Sequence, residues 1–437
     1  MIQHLRLEIR GLVQGVGFRP FVCTLAKKHH LCGNVSNTGD GVIIEVEGSS
    51  DEVKFFSIAL STNIPPLARI DHIETHEQDL KYFVGFEILQ SHHLTKTTSI
   101  SPDIAVCDTC LSEMKDPCNR RFGYYLTNCT DCGPRYSIIE TIPYDRALTS
   151  MKPFKMCNHC QGEYDDAANR RYHAQPISCH DCGPVLCMFD NELNLIAQKS
   201  EVIEKTAQYL KNGKIVAIKG IGGFHLLCDA TNEQAVSTLR VRKKRPKKPF
   251  SVMFSNMDQL SQYLCADEKE SEFLSSKERP IVLVKKRRGT AALASIIAPD
   301  IDTIGAMIAY APIHHLLFDF FDSPLVATSA NRSDEPIVRD VHELRYRLGQ
   351  VVDVIVDFNR DILNNVDDSI IQVIGNRSSK LRLGLGYTPF TMKHNASTSI
   401  NILVVVWHLK NTIVLTFEVR ISLNPDLNDP YSLEGRE

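Results

Sequence analysis

The chain has 437 residues, of which 43% are hydrophobic and 23% are charged, and its formal net charge at pH 7 is −3. This length and composition predict a globular protein with several hydrophobic cores and about three domains. The slight negative charge argues against a general nucleic-acid coat, and no apolar run reaches the roughly 18 residues that a membrane-spanning helix needs. The N-terminus does not resemble a signal peptide, which favours the reducing environment of the cytoplasm.

The N-terminal region predicts a small α+β domain. Leu5, Leu7 and Ile9 alternate with polar residues, which is typical of a strand, and Pro20 suits the first turn of the helix that follows. Alternation recurs at 42–47, and two further strands are expected at 69–76 and 83–89. We expect the order β-α-β-β-α-β, which forms a small antiparallel sheet with both helices on one face.

A glycine-rich loop, Gly11-Leu-Val-Gln-Gly-Val-Gly-Phe-Arg19, connects the first strand to the first helix. Gly15 and Gly17 allow a ligand to approach the backbone closely, and the N–H groups of a helix N-terminus attract anions. Arg19 adds a full positive charge, so the loop can cradle a dianion the size of phosphate. Such a turn is by itself also compatible with a simple tight connection.

Eight cysteines between Cys107 and Cys182 follow the spacing C-x2-C-x18-C-x2-C-x24-C-x2-C-x18-C-x2-C, a repeat with a period of 50 residues. One C-x2-C pair presents two thiolates to a tetrahedral ion, and a second pair about twenty residues on completes a closed site. We therefore predict two structural zinc ions; a disulfide framework and an iron–sulfur cluster are the alternatives. The predicted ligands are Cys107, Cys110, Cys129 and Cys132 for one ion, and Cys157, Cys160, Cys179 and Cys182 for the other. A crossed arrangement between the repeats would keep the same stoichiometry.

The remainder of the chain alternates strands with helices and predicts an α/β domain of about 190 residues. Its most unusual segment is Arg240–Lys248, in which seven of nine residues are basic. Ser329 and Asn331 offer hydroxyl and amide groups at a strand end, where α/β domains place ligands. From spacing alone, a solvated face, a nucleic-acid patch and a triphosphate site are equally compatible with the basic segment.

The glycine loop resembles the acylphosphatase motif G-x-V-Q-G-V-G-F-R, and Gly33–Gly41 resembles that family's second motif, G-x-V-x-N-x-x-D-G. The resemblance implies a ferredoxin-like domain in which Arg19 grips the phosphoryl group and Asn37 orients the attacking water. It also implies that the phosphate loop consists of Gln14, Gly15, Val16, Gly17 and Phe18.

Four further segments resemble the YrdC-like domain of carbamoyl-adenylate-forming enzymes. They are Lys219–His225, Arg242–Met253, Pro312–His315 and Thr328–Pro336. The resemblance implies that Lys243 and Arg245 occupy the nucleotide-binding K-x-R positions, and that Ser329 and Asn331 occupy the S-x-N positions.

An acylphosphatase domain, a paired four-cysteine repeat and a YrdC-like domain, in this order, resemble the HypF-type carbamoyltransferases of [NiFe]-hydrogenase maturation. The resemblance covers residues 1 to about 392. It implies that carbamoyl phosphate is hydrolysed first and that carbamate passes inward. Carbamate is then joined to ATP, bound with Mg²⁺, as carbamoyl adenylate. A further domain hands the carbamoyl group to the C-terminal cysteine of the partner HypE, which converts it to cyanide.

The sequence predicts four segments: an acylphosphatase-like domain at 1–91, a tandem zinc-finger module at 101–185, a YrdC-like domain at 196–392, and a remnant at 393–437. Val406-Trp407 stand where the family has two glycines. We therefore expect the remnant to be a degraded start of the transfer domain, in a truncated chain that cannot complete transfer. The family pattern also has histidines where this chain has Phe358 and Leu363, and arginines where it has Asn365, Leu383 and Leu385.

Three alternatives stay open besides a truncated HypF-type enzyme. The chain could hydrolyse only carbamoyl or acyl phosphate. It could instead be an RNA-binding module built from the zinc repeat and the basic segment, with a fold like that of double-stranded RNA binders. It could also be the inactive product of a decayed gene.

Overall fold

The computed structural model describes residues 2–38, 41–62, 64–65, 67–89, 100–287, 292–332, 335–375, 377–393, 402–405, 411–417 and 420–427. Within these residues, no helix is both long enough and apolar enough to cross a membrane.

The first domain is a five-stranded sheet covered by two helices. Its elements are β1 (Ile2–Leu12), α1 (Phe18–Lys28), β2 (Cys32–Asn37), β3 (Val42–Ser49), α2 (Ser50–Thr62), β4 (Arg69–Gln78) and β5 (Phe86–Ile88). The strand order is β4-β1-β3-β2-β5, and only the β2–β5 pair is parallel. Buried residues of both helices, such as Val22 and Phe56, share one core with Leu7 and Ile9 of β1.

The predicted α+β class and the order β-α-β-β-α-β are confirmed, and β5 lies within the further strand expected at 83–89. Alternation of apolar residues does not mark β2, because Gly33, Asn34, Ser36 and Asn37 leave it few apolar side chains. These residues nevertheless form an inner strand, since β3 on one side and β5 on the other supply backbone partners.

The zinc-finger module is mostly loop, with two short helices, α3 (Asp108–Lys115) and α4 (Asn158–Asp165). Each helix begins directly after the first cysteine of its repeat, so the repeat in the sequence is also a repeat in structure. The connector between the two halves is packed, since Tyr144 is only 4% exposed.

The third domain is a large mixed sheet with a hydrophobic core on each face. Its strands are β6 (Leu186–Asp190), β7 (Leu195–Gln198), β8 (Val216–Lys219), β9 (Phe224–Asp229), β10 (Ser251–Phe254), β11 (Leu264–Cys265), β12 (Ile281–Lys286), β13 (Thr303–Ile308), β14 (Leu325–Ser329), β15 (Val354–Phe358), β16 (Ile370–Ile374) and β17 (Arg377–Arg382). Its helices are α5 (Glu201–Lys211), α6 (Glu233–Arg242), α7 (Met257–Tyr263), α8 (Glu268–Ser275), α9 (Pro312–Phe318) and α10 (Val341–Leu348).

The strand order of this sheet is β17-β16-β12-β13-β10-β14-β9-β8-β15-β6-β7, and β11 pairs with β12 outside that path. The C-terminal end of α6 leads into the basic segment, and β14 ends at Ser329. The fold therefore brings the basic segment and the strand end, which are far apart in sequence, to the same region of the sheet.

The backbone after the third domain forms a separate four-stranded antiparallel sheet. Its strands are β18 (Phe390–Lys393), β19 (Ile402–Val405), β20 (Asn411–Phe417) and β21 (Arg420–Leu427), in the order β18-β21-β20-β19. Val406 and Trp407, on which the prediction of a degraded remnant rested, lie outside the described residues.

Candidate functional site

The glycine loop connects β1 to α1 as predicted from its spacing. Gly15 and Gly17 have φ angles of 70° and 71°, which glycine adopts readily because it has no Cβ. Gly17 is the N-cap of α1, so the loop leads straight into a helix N-terminus. The unpaired N–H groups and the dipole of a helix N-terminus favour a bound anion.

The side chains of the other three predicted loop residues hold the loop in shape. Val16 and Phe18 are 0% and 1% exposed and pack in the domain core. The Gln14 amide Nε2 donates to the backbone oxygens of Thr38 and Gly41 at 2.7 and 2.8 Å. Gln14 therefore connects the glycine loop to the second motif.

Arg19 and Asn37, the two predicted catalytic residues, lie side by side and are 8% and 1% exposed. With its amide oxygen turned toward Arg19, Asn37 accepts from the guanidinium Nε and Nη2 at 3.3 Å each. The fold therefore unites residues from the two motifs in one small site. Gly39 and Asp40 of the second motif lie outside the described residues.

The zinc-finger module covers this site. The backbone N–H of Tyr144 donates to Gln14 Oε1 at 3.1 Å, and the Arg135 guanidinium donates to the backbone oxygen of Gly15. His173 lines the same cavity as Arg19. Burial, and then the nearby charge of Arg19, lower the pKa of His173 to about 4, so the imidazole is neutral at physiological pH.

One contact from the module reaches Arg19, the residue predicted to bind the phosphoryl group. Asp145 Oδ1 accepts from Arg19 Nη2 at 2.9 Å. Sequence reasoning missed Asp145, because nothing in the connector marks one carboxylate as a neighbour of a residue in another domain.

The eight cysteines form two clusters, in which the ligand atoms lie within 4.8 Å of one another. Measured Sγ–Sγ distances are 3.6 to 3.8 Å in both. A tetrahedral zinc with bonds of about 2.3 Å places its sulfurs about 3.8 Å apart. The clusters contain Cys107, Cys110, Cys129 and Cys132, and Cys157, Cys160, Cys179 and Cys182, so they follow sequence order and are not crossed between repeats.

These distances fit a single ion better than the two alternatives. A disulfide brings its sulfurs to about 2.05 Å, far closer than the 3.6 Å measured here. An iron–sulfur cluster spreads its cysteine ligands over several iron ions and so holds their sulfurs farther apart. The donor set and spacing therefore fit one zinc ion in each cluster.

Arginines of each repeat contact the sulfurs of the other repeat. Arg120, from the first repeat, donates to three sulfurs of the second cluster at 3.1 to 3.5 Å. Arg170, at the equivalent place in the second repeat, donates to two sulfurs of the first cluster. The acceptors are Cys157, Cys160 and Cys179 for Arg120, and Cys107 and Cys110 for Arg170.

The next arginine in each repeat also pairs with a residue of the opposite repeat. Arg121 and Arg171 are 1% and 3% exposed, and they pair with Glu163 of α4 and Glu113 of α3. Four thiolates around one divalent zinc leave a charge of minus two. The two arginines and one glutamate beside each cluster carry a net charge of plus one, which offsets it in part. Each metal site therefore depends for charge balance on the opposite repeat.

A second, small cavity lies between the zinc-finger module and the third domain. Pro134 lines both this cavity and the one beside Arg19. Two buried cations border it: Lys219, which pairs with Asp357 at 2.9 Å, and Arg360, which is 2% exposed. The Phe358 ring lies near both, with its centre 5.1 Å from Lys219 Nζ and 5.0 Å from the Arg360 guanidinium carbon. The cavity offers an anion a positively charged environment away from bulk water.

The four predicted nucleotide-binding residues come together in a third cavity. Lys243 Nζ donates to the backbone oxygens of Ser329 and Asn331 at 2.8 and 2.7 Å. Ser329 Oγ donates to Asn331 Oδ1 at 3.0 Å, and Arg245 Nη1 donates to Thr328 Oγ1 at 3.1 Å. Lys243 and Arg245 are thus held against the strand end, and both line the cavity.

More cations line this cavity than the sequence motifs identify. Lys248, Arg332 and Arg382 also face it. Burial, and then the charges of Arg240 and Arg382, lower the pKa of Arg245 to about 10, so it stays protonated at neutral pH. Several cations around one cavity suit a polyphosphate.

Asp368 also lines this cavity, and a buried histidine is paired with it. His225 Nε2 lies 2.8 Å from Asp368 Oδ2. Burial by itself lowers the pKa of His225, but the charge and hydrogen bond of Asp368 outweigh burial and raise it. Arg382 Nε donates to the backbone oxygen of Asp368 at 2.7 Å, which fixes one of the cavity cations.

Among the described residues, the five positions that depart from the family pattern do not line the third cavity. Phe358 and Leu385 are 1% and 4% exposed and pack in the core. The Leu363 backbone N–H donates to Ser137 of the zinc-finger module at 2.8 Å. These departures therefore affect packing in the core and between the domains, and do not directly change the lining of the third cavity.

Family models match three parts of the chain. The Acylphosphatase model matches residues 5–88, the HypF finger model matches 106–139 and 156–189, and the Sua5/YciO/YrdC model, described as Telomere recombination, matches 208–384. The fold and the matches together define a modular protein, in which an acylphosphatase-like domain and a YrdC-like domain flank a HypF finger.

Similar proteins extend across all three parts. The chain is 42% identical to carbamoyltransferase HypF of Synechocystis sp. over 429 residues, covering 98% of this chain and 56% of that protein. It is 46% identical to carbamoyltransferase HypF of Rhizobium leguminosarum bv. viciae, covering 95% of this chain and 53% of that protein. It matches the crystal structure of full-length HypF in the phosphate- and nucleotide-bound form with a TM-score of 0.93 and 42% identity, covering all of this chain and 57% of that one. The chain is thus similar, over nearly its whole length, to part of the HypF carbamoyltransferases.

These matches do not support the expectation of a truncated, degraded chain. Similarity to the Synechocystis relative extends over 98% of the chain, and the full-length HypF structure covers all of it. Residues 393–437 therefore correspond to part of the relatives' structure, and their paired strands agree with this. The chain spans about half the length of the relatives it matches.

Proposed function

We propose that this chain hydrolyses carbamoyl phosphate at the acylphosphatase site and joins the resulting carbamate to ATP as carbamoyl adenylate. The observation that carries the proposal is the arrangement of three cavities in one chain. A phosphate-sized cradle stands at one end, a cavity lined by several cations stands at the other, and two buried cations border the cavity between them.

In the first step, water attacks carbamoyl phosphate and releases carbamate and inorganic phosphate. The phosphoryl group is already activated, so the site needs only to position it and to stabilise its charge. The loop N–H groups and the Arg19 guanidinium bind the phosphoryl oxygens. Asn37, whose amide is fixed beside Arg19, orients the attacking water.

Carbamate decomposes readily in water, so the second step requires that it be kept from solvent. The contact between the first two cavities at Pro134 supports an internal route. Lys219 and Arg360 would attract the carbamate anion along that route. Tyr144 and Arg135 close the entrance, since both bind the acylphosphatase loop.

In the second step, a carbamate oxygen attacks the α-phosphorus of ATP, and pyrophosphate leaves. Lys243, Arg245 and Arg382 would offset the charge of the triphosphate, which we expect to enter with Mg²⁺. Ser329 and Asn331 complete the binding site. We further propose that the carbamoyl group passes to the C-terminal cysteine of HypE in the cytoplasm, and that two zinc ions hold the finger module together.

The experiment that tests the two steps is incubation of the chain with carbamoyl phosphate, ATP and magnesium, following phosphate, pyrophosphate and AMP separately. Release of phosphate together with pyrophosphate is the expected result. Phosphate without pyrophosphate would reduce the activity to an acyl phosphatase. Absence of all three products would contradict both steps.

We expect Lys243→Ala to lower carbamoyl-phosphate-dependent ATP–pyrophosphate exchange by at least about tenfold, since a lost charge-assisted contact is worth about 1.5–3 kcal/mol. Acyl-phosphate hydrolysis should be unchanged, because Lys243 belongs to the other site. Lys247→Ala is the matched control, since Lys247 is an exposed lysine of the same basic segment. Equal exchange by the two variants would assign the segment to a solvated surface.

RNA binding finds less support in this geometry. Lys243 and Arg245 point onto carbonyl and hydroxyl oxygens of the strand end and line a cavity. A strand of RNA needs cations displayed along an open groove. Weak RNA binding by Lys243→Ala, with normal binding by Lys247→Ala, would bring this alternative back.

A further inference from the structure

The acylphosphatase site contains a carboxylate that its own domain does not supply. Asp145 of the zinc-finger connector pairs with Arg19 Nη2 at 2.9 Å, where the Arg19 side chain is 9% exposed and the Asp145 side chain is 28% exposed. The contact is therefore largely shielded from water. Shielding from water strengthens electrostatic interactions, so the negative charge of Asp145 also acts on any ligand that binds beside Arg19.

A carboxylate at this position opposes phosphate binding. Arg19 is the proposed ligand of the phosphoryl group, and Asp145 already accepts a hydrogen bond from one of its two terminal nitrogens. The negative charge also lies beside the place where a phosphate dianion would bind. Repulsion between the two negative charges weakens phosphate binding.

Docking of the two domains does not require this ion pair. Gln14 Oε1 already accepts from the Tyr144 backbone, and the Arg135 guanidinium already donates to Gly15. The first domain also buries Tyr172 of the module in its core. A contact that only held the domains together would not need to use the phosphate-binding cation.

We propose that Asp145 is a positioning residue that also weakens product binding. This proposal rests on the proposed function, because it takes Arg19 as the residue that binds the phosphoryl group. Together with Asn37, Asp145 holds the Arg19 guanidinium in place before substrate arrives. Its carboxylate then competes with phosphate for Arg19, so that inorganic phosphate, the product, leaves the site easily.

The test measures binding of inorganic phosphate to the full chain by calorimetry, for the wild type and for Asp145→Asn. An asparagine oxygen can still accept from Arg19, but the competing charge is gone. We expect phosphate to bind on the order of tenfold more tightly. For acyl-phosphate hydrolysis, we expect KM to fall by a similar factor without any rise in kcat, because product release is slower.

Two further variants separate this role from a structural one. Glu140→Gln removes an exposed carboxylate from the same connector, and its phosphate affinity should stay at the wild-type value. Asp145→Ala removes the orienting contact as well, so its kcat should fall below that of Asp145→Asn. Unchanged or weaker phosphate binding by Asp145→Asn would overturn the proposal and leave Asp145 as a docking contact.

Failure of the proposed function gives a different result. If the wild type does not hydrolyse carbamoyl phosphate, the proposed reaction is wrong. The affinity for inorganic phosphate still decides the role of Asp145, because it is measured without turnover.

Discussion

Arg19→Ala is expected to lower kcat/KM for acyl-phosphate hydrolysis by about 10²–10³-fold, the usual cost of deleting one preorganised charge-stabilising group. The cause is local. Arg19 is the cation beside the loop of positive-φ glycines, and Asn37 and Asp145 hold its guanidinium in place. Asn37→Ala should lose nearly as much, because the attacking water is no longer oriented. Steady-state hydrolysis of carbamoyl phosphate measures both effects.

Arg10→Ala is the matched control for this experiment. Arg10 lies on β1, just before the glycine loop, and its side chain is exposed. Its variant should hydrolyse at the wild-type rate, with the same melting temperature. Near-native turnover by Arg19→Ala would show that phosphate binds elsewhere, and a lowered melting temperature would point to misfolding as the cause.

Loss of the first zinc site should have the second large effect. A structural zinc site contributes about 10–16 kcal/mol of apparent folding free energy, so Cys107→Ser/Cys110→Ser should disorder the first repeat. Arg120 and Arg121, which come from that repeat, would then no longer compensate the second cluster. We therefore expect metal analysis to find clearly less than one zinc per chain, although four cysteines of the second site are intact.

The same variant should also lose acyl-phosphate hydrolysis, because Arg135 of the first repeat binds the phosphate loop. Cys118→Ser is the control, since Cys118 belongs to the same repeat but is exposed and outside both clusters. It should keep two zinc ions and normal hydrolysis. One full zinc per chain in the double variant would mean that the two sites fold independently.

The features that the sequence predicted best are those in which a short segment determines the geometry. The glycine loop is one, because Gly15 and Gly17 fix a backbone shape that few other residues adopt. The cysteine pairs are another, because two thiolates three residues apart can face one ion. Such motifs identified the fold class, the four-cysteine sets and four residues that meet in the third cavity.

Contacts between distant segments could not be predicted in the same way. Asp145 and Arg19 are 126 residues apart, and no pattern in either segment identifies the other. Asn119-Arg120-Arg121 and Asn169-Arg170-Arg171 stand at equivalent places in the two repeats, but nothing in the sequence shows that each arginine pair contacts the opposite cluster. No alternation of apolar residues marked the position of β2, because its place in the sheet depends on neighbouring strands and not on its own apolar side chains.

The prediction of a degraded C-terminal remnant was wrong for a related reason. It rested on Val406 and Trp407, two residues that differ from a glycine pair, and it treated a local change as the loss of a whole domain. The described backbone on either side of them pairs into one sheet, with β19 and β20 adjacent. A substitution between two strands can be tolerated when the strands around it keep their partners.

The exchange of arginines between the two repeats has a consequence for how the protein is made. The cysteines of the first cluster leave the ribosome before Arg170 and Arg171, which balance and cover that cluster. A nascent chain can therefore collect its first zinc ion only loosely until the second repeat has been synthesised. Maturation of the module then becomes one late event, in which both metal ions are secured when the two halves close on each other.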